Sequence, residues 1–291
     1  MWEPFKKISF KFFGRWLEPY VSYFDNLKPD LQRANIPLSL MEYVYIMTFV
    51  TLLVFVIEFP TLSIITALIF KSALIAFLLA FTTSAFMTIC VFFMFYTYPA
   101  MEAGKRKKDI DSSLPFATTY MATVAASGAP PITMFRVLST FDEYGEASRE
   151  AKKIYRDVEV FGMDLVGAMH KTANRTPSAE LKELLWGLET VILTGSNISN
   201  YLHEKSAAFM QEYRRKLKEF SQTLSLIIEI YLTVILVGSI FFIIMSALMS
   251  MFGGVEMSLM LSFIQFLIIF IVLPAVSIGF IILLKTLSPS M

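Results

Sequence analysis

The sequence predicts an all-α integral membrane protein in which two transmembrane helical hairpins flank a cytoplasmic six-helix bundle. The 291 residues are 56% hydrophobic and 17% charged, with a mean hydropathy of +0.61. Ordinary water-soluble domains are less apolar than this. The long apolar stretches come in two pairs, and the segment between the pairs carries charges of both signs with helical periodicity. Pairing and periodicity together give the predicted architecture.

Four stretches are long enough to cross a bilayer, which takes about 20 mainly apolar residues. They run from about 41 to 59, 72 to 98, 224 to 252 and 257 to 284. We expect the first to end at Pro60 and the second at Pro99, while Pro274 lies inside the fourth. The connections at 60–71 and 253–256 are short, so each pair of spans forms a hairpin.

These spans divide the chain into five predicted parts. They are an amphipathic N-terminal segment (1–39), the first transmembrane hairpin (40–99), the helical bundle (100–223), the second hairpin (224–285) and a short tail (286–291). In the first part, apolar residues recur at helical spacing and basic residues fall between them: Phe5, Ile8, Phe12, Phe13, Trp16 and Leu17. Such a helix lies in the lipid headgroup plane or packs on the cytoplasmic domain.

Lysine and arginine near the span ends predict the orientation in the membrane, because these residues resist translocation. They cluster before span one, after span two at Lys105–Lys108, before span three at Arg214–Lys218, and after span four at Lys285. The two short connections contain only one basic residue, Lys71. Both termini and the middle segment are therefore predicted to be cytoplasmic. The basic block at Lys105–Lys108 also fits a docking patch for an acidic partner.

The middle segment is predicted to form six helices, at about 113–127, 131–142, 145–160, 162–173, between a cap at Thr176 and a stop at Gly195, and at 197–222. Apolar residues follow the 3.6-residue period of a helix, as in Leu181, Leu184, Leu185 and Leu188. Residues 114–128 also resemble residues 181–195, each ending in Gly after a Ser or Thr. This is either a pair of pseudo-symmetric helical hairpins or a chance similarity between amphipathic helices.

No catalytic, cofactor-binding or metal site is expected, so the chain is predicted not to be an enzyme. The 25 basic residues are balanced by 24 acidic ones, which argues against nucleic-acid binding. Cys90 is the single cysteine, and His170 and His203 lack the spacing of a zinc protease. No loop has the Gly and Lys-Ser/Thr spacing that holds nucleotide phosphates.

Two acids lie within the predicted spans, Glu58 and Glu229. An intramembrane acid is a candidate functional residue, because a charge at the bilayer centre is costly. Each lies within about two turns of a predicted span end, where a side chain can reach the interface or pair with a neighbour. A proton or ion relay is the alternative role for this pair.

Two segments resemble the type II secretion system F family in its archaeal branch. They are LPFATTYMATVAASGAPPITMFRVL (Leu114–Leu138) and PSAELKELLWGLETVILTGSNISNYLHEKSAAFM (Pro177–Met210). The positions that carry the resemblance are structural: Leu114, Pro115, Gly128, Gly195 and Leu202. Family members are inner-membrane platforms of type II secretion, type IV pili, Tad pili and the archaellum. Archaellum platforms carry two such modules and this chain has one, so a pilus or Tad-like platform is the better match.

The resemblance implies a non-enzymatic protein between a hexameric secretion ATPase and pilin-like subunits, embedded in the cell membrane and working as a homo-oligomer or with a paralogous subunit. The alternative is a transporter or channel subunit with a cytoplasmic regulatory bundle. Charged residues at the membrane edge and on the lobe are candidates to face the ATPase: Lys105, Arg106, Lys107, Lys108, Asp142, Glu143, Glu146, Glu150, Arg214, Arg215, Lys216 and Lys218. Methionines on the spans, such as Met245, Met249, Met251, Met257 and Met260, are candidates to contact pilin helices or are lipid-facing filler.

Overall fold

The structure is a computed structural model that describes residues 18–70, 72–252, 263–264 and 266–287. All regular structure in these ranges is helical. The α-helices used below are α1 (Leu27–Arg33), α2 (Leu40–Ile69), α3 (Ala73–Ala126), α4 (Pro131–Leu138), α5 (Gly145–Glu159), α6 (Leu165–Arg175), α7 (Ala179–Thr194), α8 (Ile198–Leu232), α9 (Gly238–Phe252) and α10 (Leu273–Leu287). Short 3₁₀ helices cover Glu18–Phe24 and Asp142–Tyr144. The predicted amphipathic stripe Phe5–Leu17, together with Lys71, Met257, Met260 and tail residues 288–291, lies outside the described residues.

The chain divides into two compact units, Met1–Ser206 and Ala207–Met291. Four helices are long and apolar enough to cross a membrane: Leu40–Ile69, Ala73–Ala126, Ile198–Met249 and Ile268–Lys285. The chain is therefore a membrane protein, as predicted. The described helices also confirm the all-α class.

The first hairpin in unit 1 is formed by α2 and α3. Ser39 and Glu42 begin α2 with a reciprocal capping box. The Tyr43 hydroxyl donates to the Phe95 carbonyl at 2.7 Å, and the Thr66 hydroxyl donates to the Ala76 carbonyl at 3.0 Å. Rings from both helices interlock between these bonds: Phe55, Phe59, Phe77 and Phe81.

The predicted end of the first span at Pro60 is wrong, because α2 continues through Pro60 to Ile69. Proline lacks an N–H donor, but membrane helices tolerate it where nearby hydroxyls bond to the backbone. Pro60 leaves the Val56 carbonyl, four residues earlier, without its helical donor, and the adjacent Thr61 hydroxyl donates to the Glu58 carbonyl at 2.8 Å. The helix therefore extends beyond the residue at which sequence rules would end it.

The second span does not end at Pro99 either. Helix α3 is 54 residues long and includes both Pro99 and Pro115, so the second span and the first predicted bundle helix are one continuous helix. At 1.5 Å per residue α3 is about 80 Å long. Both prolines are buried. The basic block Lys105–Lys108 thus lies within a helix that leads from the hairpin into the following domain.

The part of α3 after about residue 103 packs with α4, α5 and α7, while α6 packs on α5 and α7, and we call this assembly of five helices the helical lobe. Its core contains fully buried side chains from every one of these helices: Leu114, Met134, Phe135, Ile154, Met169, Leu184, Leu185 and Leu188. Helices occur at each of the six predicted places. Helix α4 is shorter than predicted and ends at Leu138. The cap of α7 is Ser178 rather than Thr176, and its hydroxyl accepts from the Leu181 N–H at 3.0 Å.

The similar segments 114–128 and 181–195 also match in conformation and burial. Gly128 and Gly195 follow their helices with φ values of +73° and +70°, in the left-handed region that favours glycine. Leu114 and its counterpart Leu181 are both buried. Each glycine leads to another helix, α4 or α8.

Unit 2 contains the rest of α8, which runs from Ile198 to Leu232 without a break, so the third span does not begin as a separate helix near residue 224. A π-helical turn at Thr233–Val237 follows, and then α9. A second π-helical turn at Ile268–Val272 precedes α10. The Tyr231 ring stacks on Phe280 with centroids 4.2 Å apart, and the Tyr231 hydroxyl lies 3.0 Å from that of Ser277. These contacts join the two sides of the second hairpin.

Candidate functional site

A buried arginine lies on α3 where the helix leaves the first hairpin and enters the helical lobe. Arg106 is only 6% exposed, and it shares the inner face of α3 with Ala103 and Ile110, three residues before and four after it. Residues at this spacing lie on the same side of a helix. The side chain of Arg106 therefore points into the protein, among apolar neighbours.

Three groups from two other helices surround the guanidinium of Arg106. Its Nε donates to Glu146 Oε2 at 2.7 Å, and its Nη2 donates to Glu150 Oε1 at 2.5 Å. Glu146 and Glu150 are one turn apart on α5, so both carboxylates face α3. Nη1 donates to the backbone carbonyl of Arg33, the last residue of α1. Arg106 thus links α1, α3 and α5, and we call these residues the Arg106 network.

Outer cations complete the charge balance of the Arg106 network. Arg149 pairs with Glu146, and the Lys153 ammonium donates to Glu150 Oε1 at 3.0 Å. Burial raises the pKa of Glu146, but hydrogen bonds and charges from Arg106 and Arg149 outweigh burial and hold that pKa below its ordinary value. Glu146 is therefore ionised at neutral pH, as a buried ion pair requires.

Asp109 adds a further bond between α3 and α5. Its carboxylate accepts from the backbone N–H of Glu146 at 2.7 Å, so a side chain of α3 caps the N-terminus of α5. A negative charge is favourable there because the helix dipole is positive at this end. Gly145 makes room for this bond, since a Cβ at its position would lie 2.6 Å from Asp109 Oδ2. Its φ of +52° also favours glycine.

The structure corrects three of the twelve residues predicted to face an ATPase. All three, Arg106, Glu146 and Glu150, are buried, and Arg106 bonds to the carboxylates of both Glu146 and Glu150, because a buried charge is costly unless it is paired. The other nine are exposed: Lys105, Lys107, Lys108, Asp142, Glu143, Arg214, Arg215, Lys216 and Lys218. Arg215 also pairs with Glu212 on its own helix at 2.6 Å. The exposed residues remain candidates for a docking surface.

Sequence reasoning missed Asp109 and the carbonyl of Arg33. A signal for the burial was present on α5, where carboxylates at 146, 150 and 157 fall on the same helical face as Ala147, Ala151 and Ile154. Acids that share a face with small and apolar residues point inward and need a cation. Nothing in the sequence alone indicated that the cation would come from Arg106 on α3.

The family-motif residues have structural positions in the helical lobe. Leu114 and Pro115 lie on the buried face of α3, and Leu202 at the start of α8 is fully buried. The nearby Ser206 hydroxyl is 2.6 Å from the Thr119 hydroxyl of α3. Gly128 and Gly195 end α3 and α7, as their left-handed backbone requires. These residues shape the lobe and form no polar cluster of their own.

The two membrane acids lie on two of the membrane-length helices, Leu40–Ile69 and Ile198–Met249. Glu58 is part-buried inside α2, and Glu229 is exposed on α8, which continues into the π-helical turn and α9. Within the described ranges no group of three His, Cys, Asp or Glu side chains could hold a metal ion. Among the described residues, the Arg106 network is a buried polar site that links three helices.

Comparison with known proteins gives a family match for the part of the chain that contains most of the helical lobe. Residues 117–246 match the family model "Type II secretion system (T2SS), protein F". The chain contains a type II secretion system protein F domain. This F domain begins within α3 and ends within α9, and it includes Gly128, Gly195 and Leu202. Arg106 lies on α3 ahead of the matched segment, while Glu146 and Glu150 lie within it.

Curated relatives are archaeal. An uncharacterized protein of Methanocaldococcus jannaschii is 29% identical over 134 residues, which is 46% of this chain and 22% of the relative. "Flagella accessory protein J" is 25% identical in the same organism, over 47% of this chain and 24% of the relative. The protein of the same name in Methanococcus voltae is 26% identical, over 40% of this chain and 21% of the relative. The similarity thus spans about a quarter of each relative. No solved structure matches the chain.

Proposed function

We propose that the protein is a non-enzymatic platform in the cell membrane for a pilus-like or secretion-like filament machine, coupling a hexameric cytoplasmic ATPase to the assembly of pilin-like subunits. The observation that carries this proposal is the F domain at residues 117–246, since that family is named for the secretion system. Relatives named as flagella accessory proteins support an archaeal filament context. The chain works as a homo-oligomer or with a paralogous subunit.

The construction of α3 supports a mechanical role. One unbroken helix carries both a membrane-length apolar segment and the inner face of the helical lobe. The Arg106 network fixes α1 and α5 to this helix at the level where it enters the lobe. A force on α5 would therefore reach α3 through short charge-assisted bonds, which hold geometry well. Rigid-body motion of packed elements is an ordinary way to switch proteins.

In this proposal the lobe is cytoplasmic, and the exposed charges Lys105, Lys107, Lys108, Asp142 and Glu143 contribute to an ATPase-facing surface on unit 1. The basic group at Arg214–Lys218 is a separate candidate contact on unit 2. The positive-inside pattern of the sequence supports this orientation. Exposed methionines on α9, such as Met245, Met249 and Met251, suit contact with pilin helices, because a flexible thioether adapts to different partners.

Affinity purification of the tagged full chain from native membranes tests this function. The platform role predicts that a hexameric ATPase and small pilin-like proteins co-purify. A charge-reversal variant, Lys107→Glu with Lys108→Glu, should lose the ATPase while the pilins remain. The matched control Lys152→Glu changes an exposed cation on α5 and should keep both. Ion or solute flux through liposomes that contain the purified chain, without ATPase binding, would instead establish a transporter or channel.

A further inference from the structure

A polar cleft in unit 1 lies between the N-terminal segment and the helical lobe. Its volume is about 360 Å³, within the range of small-molecule sites. Asn35 and neighbouring residues form one wall, and side chains of α5 and α6 form the other. Four cations line it, Lys153, Arg156, Lys171 and Arg175, against the two carboxylates of Glu150 and Asp157. The cleft therefore carries a net positive charge.

The cations in the cleft differ in how far they are neutralised. Lys153 pairs with Glu150 at 3.0 Å, and Lys171 pairs with Asp157 at 2.6 Å. Arg156 reaches Asp157 Oδ1 only at 3.8 Å, beyond hydrogen-bond distance. Arg175, in the last turn of α6, has no ion pair with any residue in the described part of the chain. The Arg156 guanidinium also lies over the Phe161 ring, 5.7 Å from its centroid, and this stacking leaves its N–H edge free. Both guanidinium groups are therefore available to an anion in the cleft.

Asp157 supplies a second, independent indication of a ligand. The residue is only 3% exposed, and its Oδ1 has no hydrogen-bond partner among the described residues. A buried carboxylate oxygen without a donor is costly. Because Asp157 lines the same cleft as the two arginines, a ligand with a hydroxyl donor beside its anionic group would satisfy both.

We infer that this cleft binds a phosphate ester that carries a free hydroxyl group. Guanidinium forks match phosphate oxygens and bind them through two parallel bonds, which assigns the phosphate to Arg156 and Arg175. The hydroxyl donates to Asp157 Oδ1. The ester can be a soluble metabolite or a lipid headgroup, since Ile36 and Pro37 line the cleft just before the membrane-length helix α2 begins at Leu40. Basic pockets at the cytoplasmic ends of spans bind anionic headgroups in other proteins.

Calorimetric titration of the full chain in detergent with glycerol phosphate tests the site, with inorganic phosphate as the second probe. Glycerol phosphate should bind saturably and more tightly than inorganic phosphate. Arg175→Gln should weaken binding by about tenfold or more, because a charged hydrogen-bonded contact is lost. Arg136→Gln is the matched control, since Arg136 is an exposed arginine on α4 outside the cleft. The affinity of this variant for glycerol phosphate should equal that of the unmodified chain. Absence of saturable binding by both probes overturns the inference, as does an equal loss in the control.

Asp157→Asn tests the hydroxyl contact separately. The variant should bind both probes with similar affinity, because the preference for glycerol phosphate depends on the carboxylate as acceptor. A preference that survives in Asp157→Asn contradicts the assignment of Asp157. Asp157 is buried, so a thermal melt must first show that the variant folds. If it does not, the preference of the unmodified chain for glycerol phosphate over inorganic phosphate decides the point.

Nanodiscs distinguish the two sources of the ester. The full chain is placed in discs of phosphatidylglycerol or of phosphatidylcholine, and soluble glycerol phosphate is titrated into each. If the lipid headgroup occupies the cleft, the apparent affinity for soluble glycerol phosphate is lower in the phosphatidylglycerol discs than in the phosphatidylcholine discs. In Arg175→Gln, which has lost the site, the affinity stays low in both kinds of disc. Equal affinity in both discs assigns the cleft to a soluble ester.

Discussion

Arg106 on α3 and Glu146 on α5 form a hydrogen bond of 2.7 Å although forty positions separate them in the sequence. Their side chains are only 7% and 11% exposed. Removing two charges from water costs several kcal/mol for each ion, which close pairing must offset. The pair therefore favours one arrangement of α5 on the long helix α3 over arrangements that leave either charge unpaired.

Removal of the Arg106 side chain should destabilise the chain strongly. Arg106→Met leaves the carboxylates of Glu146 and Glu150 without their buried partner, and loss of one member of a buried pair costs about 3–5 kcal/mol. Thermal melting of the full chain in detergent measures the change. Lys107→Met, at the exposed neighbouring position, should stay within about 0.5 kcal/mol. Equal melting temperatures for the two variants would show that the Arg106 network does not hold the lobe on α3.

Stability should fall in acid because of Glu146. Its pKa is lower in the folded chain than the ordinary value of about 4.3, so folding is favoured most when the carboxylate is ionised. This contribution is present above the unfolded pKa and is lost as pH falls through the folded one. Melting curves from about pH 6 to about pH 3 should show a steeper fall for the unmodified chain than for Glu146→Gln. Parallel curves for the two proteins would contradict this role of Glu146.

Loss of the Asp109 carboxylate should weaken the start of α5. Asp109→Ala removes the acceptor for the Glu146 N–H, and a lost helix cap costs about 1 kcal/mol. Asp142→Ala, at an exposed aspartate just before α5, is the matched control and should change the melting temperature little. Hydrogen exchange of the first turn of α5 provides a local measurement. It should speed up in Asp109→Ala alone, and equal exchange in both variants would exclude the cap.

Gly187 should not tolerate a side chain. A Cβ there would overlap the Tyr201 hydroxyl and lie 2.6 Å from ring atom Cζ, while that hydroxyl donates to the Leu184 carbonyl at 3.1 Å. Overpacking of this kind costs about 1–3 kcal/mol, so Gly187→Ala should melt at a lower temperature. Gly104→Ala meets no atom within 4 Å and is the control. Combining Gly187→Ala with Tyr201→Leu should recover stability, and a failure to recover would place the strain elsewhere.

Cysteine labelling should place the helical lobe inside the cell. In a Cys90→Ala background, Val160→Cys lies on an exposed residue between α5 and α6, and Phe70→Cys lies between α2 and α3. A membrane-impermeant thiol reagent should label Phe70→Cys in intact cells, but Val160→Cys only after the membrane is opened. The reverse pattern would place the lobe away from any cytoplasmic ATPase and contradict the proposed function.

The sequence by itself determined the membrane segments and several helix ends. Four apolar runs predicted four membrane-length helices, because span length follows from bilayer thickness alone. Gly195 predicted the end of α7, and the backbone there is left-handed, where a Cβ is unfavourable. Both properties depend on residues that are adjacent in the chain, so they can be recognised without knowledge of packing.

Only the tertiary structure decided where helices continue and which charges are buried. Pro99 and Pro115 each have a strong local tendency to interrupt a helix, yet both lie inside α3. The Phe95 carbonyl, which Pro99 leaves without its helical donor, accepts from the Tyr43 hydroxyl of α2 instead. Lys107 and Arg106 are adjacent cations, yet one is exposed and the other is buried between the carboxylates of Glu146 and Glu150. Position on the helix and the approach of α5 make this difference, and both depend on contacts between residues far apart in the chain.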